Sequence, residues 1–209
     1  DIITHLSEVV KAHAYELLNR QEVNNLLANL RKTNEAIVND TVPAIVSIGS
    51  LQKILCNLLR EGIPIRDTET ILETLADYGA TVKDIDMLTE YVRQSLRRTI
   101  THRFAEAGQL KVISLDANIE NQIMGAVKKV ESGSYLALDP QTIQNIITAT
   151  TREIDKIKDL VQVPIILTSP IVRVYFKKLV DQFYLNTVVL SFSEIDSDAK
   201  IQALGNITI

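Results

Sequence analysis

The 209-residue sequence predicts an α+β chain in two parts, a helical first part and an α/β second part built on a small parallel or mixed sheet. Three observations carry this. Up to Arg103, apolar residues recur at three- and four-residue spacing, the pattern of helices that bury one face. Around Ala105 to Gln109, with Gly108, that pattern stops and a boundary is expected. Beyond it, short β-rich apolar runs alternate with helical stretches, and βα units in succession lay their strands side by side with right-handed crossovers.

From Ile2 to about Asn19 the apolar positions keep helical spacing with no Pro or Gly inside, so one helix is expected. A second covers Gln21 to about Arg31, with Val23, Leu26, Leu27 and Leu30 on one stripe, and a short third covers Asn34 to Asp40. Pro43 and Gly49 mark the connection to the most informative stretch, LQKILCNLLREGIPIRDTETILETLADYG, Leu51 to Gly79. Leu51, Ile54, Leu55, Leu58 and Leu59 form one stripe, and Ile71, Leu72, Leu75 and Tyr78 form another, so the two helices require a shared core. Gly62 suits the positive φ of a helix stop, Pro64 forbids continuation, and Asp67 caps the next helix. Asp84 to Arg103 reads as one long amphipathic helix, with Ile85, Leu88, Val92, Leu96 and Ile100 on one face and Arg93 and Arg97 beside it.

In the second part Leu110 to Leu115 is expected as a strand, Asn118 to Val130 as a helix, and Ser134 to Leu138 as a short strand. Pro140, one residue after Asp139, opens a helix to about Leu160. Val163 to Leu167 and Thr187 to Phe192 are buried strands separated by a helix from Pro170 to near Phe183, and Ile201 to Ile209 adds an edge strand around Gly205. There is no internal repeat.

Composition narrows the function classes. Lys plus Arg total 22 against 26 acidic residues, a formal charge of −4. Before Gly108 there are 12 basic and 15 acidic residues, and from Gly108 onward 10 and 11, so neither part carries the bulk basic footprint of a nucleic-acid binder. A single cysteine, Cys56, rules out an intramolecular disulfide, fits a reducing compartment, and reads as a small buried hydrophobe. The longest apolar runs fall far short of the roughly twenty residues of a membrane span. The chain begins inside a helical pattern without Met, signal peptide or low-complexity tail, so a piece of a longer protein is expected.

Chemistry-bearing motifs are scarce. His5, His13 and His102 are the only imidazoles; the first two lie about 12 Å apart along one helix, too far to share a metal. LDA at Leu115 to Ala117 and LSFSE at Leu190 to Glu194 put Ser or Asp at strand ends but form no nucleophile elbow, and phosphate-loop motifs are absent. No catalytic residue, cofactor or metal is expected. The basic edge Arg93, Arg97, Arg98 and Arg103 admits two readings. It meets an acidic surface such as Glu69, Glu73 and Asp77 of a neighbouring copy, or it is a solvated face with Glu90 paired locally to Arg93. Four arginines on one helix near a helical corner also suit a nucleic-acid-binding regulatory module, against which the acidic balance stands.

The Leu51 to Gly79 block, together with THLSEVVKAHAYELLNRQEV (Thr4 to Val23), LTEYVRQSLRR (Leu88 to Arg98), LKVISLD (Leu110 to Asp116) and VLSFSEI (Val189 to Ile195), resembles the cytoplasmic domain of the FlhA–SctV (FHIPEP) family of type III export-gate proteins, in the family's order over nearly all of the chain. The resemblance implies residues 1–32 as closing helices of a preceding subdomain, 33–107 as an all-helical or winged-helix-like ring-building subdomain, and 108–209 as an α/β subdomain. It implies a non-enzymatic part of the flagellar export apparatus, with a virulence injectisome homologue as the alternative; LLNRQEV and LLREGIPIRD are more similar to the flagellar branch. The implied partners are export chaperones carrying their substrates, components of the export ATPase complex, and further copies in a nine-membered ring. The implied location is the cytoplasmic face of the bacterial inner membrane, with this portion soluble and the membrane anchored through N-terminal segments outside this sequence. Thr4 matches the family's position beside the chaperone-docking groove, and Arg93 and Arg97 fall on the ring-building element, at the protomer interface. One departure stands out: relatives carry two arginines after the proline at Pro170, whereas Arg173 is followed by Val174, Tyr175, Phe176 and Lys177.

Overall fold

The computed structural model describes residues 18–209, which divide into two compact units between Ile100 and Thr101. The expected helix from Ile2, and Thr4 with it, lies outside the described residues.

Among the described residues the first unit is helical: α1 Arg20–Arg31, α2 Glu35–Thr41, α3 Ile48–Arg60, α4 Thr68–Tyr78 and α5 Ile85–Ser95, with α6 Arg97–Phe104 beginning at its end. Short polar side chains start these helices by taking up backbone donors that the first turn leaves unsatisfied. Asn19 accepts from Glu22 N, Asn34 from Ile37 N, Ser47 from Ser50 N, Asp67 from Thr70 N and Asp84 from Asp86 N. The α3–α4 corner forms as expected. Gly62 takes φ 77°, and the turn closes with Ile63 N donating to Leu58 O at 3.0 Å, which delivers Ile63 into the core. Leu51, Ile54, Leu55 and Leu58 of α3 and Ile71, Leu72 and Leu75 of α4 are fully buried. At Gly79 close packing decides the residue: a Cβ would stand 2.6 Å from Leu75 O and 2.7 Å from Ile45 Cγ2.

The single helix expected from Asp84 to Arg103 is two helices. Leu96, at φ −95° and ψ 21°, breaks the run, and its N–H is shared between Val92 O and Arg93 O. No Pro or Gly signals this break. Val92, Leu96 and Ile100 are all buried at 2% exposure or less.

The second unit holds a four-stranded sheet and a hairpin. β1 Gln109–Leu115, β4 Ile165–Thr168, β5 Val188–Ser191 and β6 Lys200–Ile207 lie in the order β5-β4-β1-β6, every pairing parallel. All four residues of β4 are buried, as a central strand covered on both faces requires. The helix expected to Val130 ends early: α7 is Ala117–Gly125, and Val127–Val130 (β2) pairs antiparallel with Gly133–Leu136 (β3). The separate hairpin satisfies its own ladder and is tied down by Tyr175 Oη donating to Ser134 Oγ at 2.9 Å. α8 Pro140–Ile157 packs on β6, and α9 Pro170–Gln182 packs on β5 and α7. β6 is the expected edge strand, and its register against β1 slips between Val112 and Ile113.

Candidate interaction surface

The arginines assigned from sequence to one basic edge, Arg93 and Arg97 at its centre, have separate fates. Arg93 points into its own unit, 1% exposed, with Nη1 3.6 Å from Glu61 Oε2 and Nε 4.0 Å from Glu90 Oε2. Arg93, expected from sequence at a protomer interface, is enclosed here because α5 buries this side of the turn along with Val92. The local Glu90 pairing is present. Arg97 and Arg98, past the Leu96 bend, are exposed. They border an open cleft of about 490 Å³ with Asp67, Thr70 and Ser95. Arg103 falls beyond the unit division, over the ring of Phe104 at 5.4 Å.

The acidic residues expected opposite this edge are displayed as the spacing predicts. Glu69, Glu73 and Asp77 are all exposed, one turn apart on α4. Glu69 Oε1 accepts from Asn34 Nδ2 at 2.7 Å, which holds the N-terminal end of the stripe in place. At the other end the Tyr78 and Tyr91 rings stack with centroids 4.1 Å apart and planes within 5°, joining α4 to α5.

The remaining chemistry-bearing residues do structural work. Asp116 caps α7, and Ser191 N donates to Glu194 Oε1 at 2.8 Å in a capping box, so both strand-end nucleophile candidates are spent on the backbone. Arg173, where relatives carry paired arginines, is buried; its Nη1 donates to Val189 O and its Nε lies 3.7 Å from the equally buried Glu194. The S-x-x-E spacing of Ser191 and Glu194 was the available signal for this pair. Cys56 is half-buried rather than fully enclosed, and desolvation pushes its thiol pKa up, with Arg60 pulling the other way. Lys156, bonded to Glu153 at 2.7 Å, holds that carboxyl below the usual range, helped by Asn206 N. His102 is exposed, and among the described residues no group of three or more His, Cys, Asp or Glu is arranged to hold a metal. No helix among them is long and apolar enough to cross a membrane.

Comparison with known proteins accounts for the architecture. The chain is 37% identical to the flagellar biosynthesis protein FlhA of Bacillus subtilis over 209 residues, all of this chain and 31% of the relative. It thus spans about a third of the length of that relative. The Chlamydia pneumoniae CdsV protein superposes with a TM-score of 0.88 at 33% identity, over 100% of this chain and 60% of the other. CdsV has also been solved in complex with CdsO. The nonameric SctV-C from EPEC gives a TM-score of 0.87 at 29% identity, over 99% of this chain and 62% of the other. With the family's sequence model matched over residues 1–200, the chain belongs to the FHIPEP family, as a homologue of the FlhA and SctV type III export-gate cytoplasmic domains.

Proposed function

We propose that this chain is the C-terminal, ring-forming portion of the cytoplasmic domain of a flagellar export-gate protein. It carries no catalytic step, joins further copies in a nine-membered ring at the cytoplasmic face of the bacterial inner membrane, and docks export chaperones with their substrates. The observation that carries this reading is the match of 99% of the chain to a nonameric relative at a TM-score of 0.87. The 37% identity to FlhA favours the flagellar branch. Contact with the export ATPase complex belongs to the same reading, as does Thr4 at the chaperone groove.

A ring needs two different patches that meet head to tail. The exposed Arg97 and Arg98 on one copy and the acidic stripe Glu73 and Asp77 on the next supply opposite charges. Arg93, enclosed between Glu61 and Glu90, supports the turn that presents them. In a partly desolvated seam, loss of one partner costs about 2–5 kcal/mol per interface, whereas the same change on the free surface costs at most about 1 kcal/mol.

The test is Arg97→Ala in the full-length, membrane-anchored protein, read by ring formation, swimming and thermal melting. Intact folding with fewer rings and impaired swimming is expected, and Asp77→Arg paired with Arg97→Asp should recover part of the loss. Normal rings and normal swimming would return Arg97 to the solvent. Deletion of the gene distinguishes the branches: motility is lost in the flagellar case, and effector secretion in the injectisome case.

A further inference from the structure

The four-stranded sheet of the second unit has two outer strands, and their edges are finished differently. At β5 the outward backbone groups are taken up by side chains. Lys177 Nζ donates to Thr187 O at 3.1 Å, Arg173 Nη1 donates to Val189 O at 3.1 Å, and Glu194 Oε1 accepts from Ser191 N at 2.8 Å. Every second residue from Thr187 to Ser191 is thereby closed to further pairing, while Val188 N turns inward to Pro164 O.

β6 is left open. Asp116 N donates to Ile207 O, so Leu110, Val112 and Ser114, in the same alternation along β1, also turn their backbone groups toward β6. In a parallel ladder each such residue bonds to the two that flank its register partner. Ile201 and Ala203, the partners of Leu110 and Val112, therefore point their own N–H and C=O groups away from the sheet. Residues 200–203 are all exposed, and among the described residues no side chain hydrogen-bonds to these outward groups. Past the register slip the edge is plugged at one position: Asn206 N donates to Glu153 Oε1 of α8 at 3.3 Å. Gly205 makes room for this contact, since a Cβ there would stand 2.9 Å from Glu153 Oε1.

The charges along the edge select its occupant. At the Asn206 end Arg152 and Lys156 border an open cavity of about 390 Å³, with Glu153 the one carboxylate among its described lining residues. Lys200 stands at the opposite end. A second copy pairing edge to edge about a twofold axis would run antiparallel and bring its Lys200 to Arg152 and Lys156, like charge against like. The register slip also bends the edge, so two rigid copies would not lie flat along it. A flexible segment meets neither obstacle when it carries a carboxylate at the Asn206 end and an apolar residue against Ile201, which is 48% exposed.

We propose that the outer edge of β6 takes up an extended, acidic segment of a partner protein as a fifth strand, with main-chain bonds at Ile201 and Ala203 and a carboxylate of the segment on Arg152. Main-chain bonds give such a site its affinity, and the side-chain contacts give it preference. The reading is independent of the ring.

The probe is a fluorescein-labelled peptide of alternating threonine and valine with two glutamates at one end. One counterpart has glutamine in place of glutamate, and another has N-methyl groups on its central residues. Anisotropy titration of the whole chain should show binding of the parent peptide and at least tenfold weaker binding of the N-methylated one. The glutamine peptide should bind three- to tenfold more weakly than the parent, a difference that Arg152→Gln should erase. Bound peptide should slow amide exchange at Ile201 and Ala203 at least tenfold and leave Val189 and Ser191 unchanged. Ala203→Pro removes an outward N–H that β1 does not use and should lower affinity at least tenfold. If that variant melts early, the N-methylated peptide makes the same test on the unaltered chain. Failure of the parent peptide to bind, equal binding of the N-methylated one, or exchange at Ile201 and Ala203 untouched by bound peptide overturns the proposal. Slow exchange at these amides in the full-length protein alone would assign the edge to its own other segments, and self-association abolished by Ala203→Pro would assign it to a second copy; either overturns the partner assignment.

Discussion

Replacing Arg93 by alanine tests whether this arginine is part of the interior or part of the surface. The side chain is 1% exposed and faces Glu61 and Glu90, whose side chains are 15% and 11% exposed. The substitution removes the cation those two carboxylates share and empties the volume of a long side chain. Breaking a buried pair by removing one partner costs about 3–5 kcal/mol, a large part of the roughly 5–15 kcal/mol that holds a typical domain together. For a helical unit of this size each kcal/mol moves the melting temperature by about 4–8 °C, so a drop well beyond 10 °C is expected. Arg97→Ala, four residues on but exposed, should stay within about 1 kcal/mol. Arg93→Met combined with Glu61→Gln and Glu90→Gln should recover much of the stability, because it removes the charges together and keeps the volume. The assay is thermal unfolding by circular dichroism on all three variants. If Arg93→Ala and Arg97→Ala melted within a few degrees of each other, the enclosed ion pair would contribute nothing and the assignment of Arg93 to the interior would fail.

Leu55→Ala and Leu75→Ala, both at fully buried positions, should each cost about 2–5 kcal/mol; chemical denaturation checks this, and variants that melt like the parent would contradict the shared α3–α4 core. Gly79→Ala should destabilise by about 1–3 kcal/mol, since a Cβ has contacts of 2.6–2.8 Å to Leu75 O, Ile45 and Val46 and must push backbone aside. Glu153, whose pKa is lowered by Lys156, contributes stability that is present above the ordinary glutamate range and lost as pH falls through its folded value. With the Lys156 partner largely exposed, the effect is about 0.5–1 kcal/mol, so Glu153→Gln should flatten the acid limb of the stability profile below about pH 4.5 while changing little at pH 7.

Local signals in the sequence were enough for most elements. Gly62, Pro64 and Asp67 specified the corner because each acts locally, through its own backbone geometry or a cap bond to its own helix, and Pro140 after Asp139 and Pro170 opened α8 and α9 for the same reason. The stripes of α3 and α4 named their core residues because helical spacing and burial are one property. The apolar runs at Ile165 and Val188 announced buried strands, though their order, β5-β4-β1-β6, came only with the fold. The family, too, was legible, since its blocks are local in sequence and kept in order.

What the sequence could not determine are the features where two distant segments compete for one place. The break at Leu96 has no Pro or Gly to announce it, and the residues on either side of it, Val92 and Ile100, keep the one-face spacing of a continuous helix. The residues after Gly125 have helix-compatible composition, yet pairing with Gly133–Leu136 and the hold of Tyr175 on Ser134 make them a hairpin. Arg93 and Arg97 look alike as residues on one amphipathic edge, and only the placement of Glu61, at the end of another helix, draws one inward and leaves the other in water. Helical spacing tells which side chains share a face, but a charge is buried or exposed according to what the rest of the chain brings to meet it, and that is decided by tertiary packing alone.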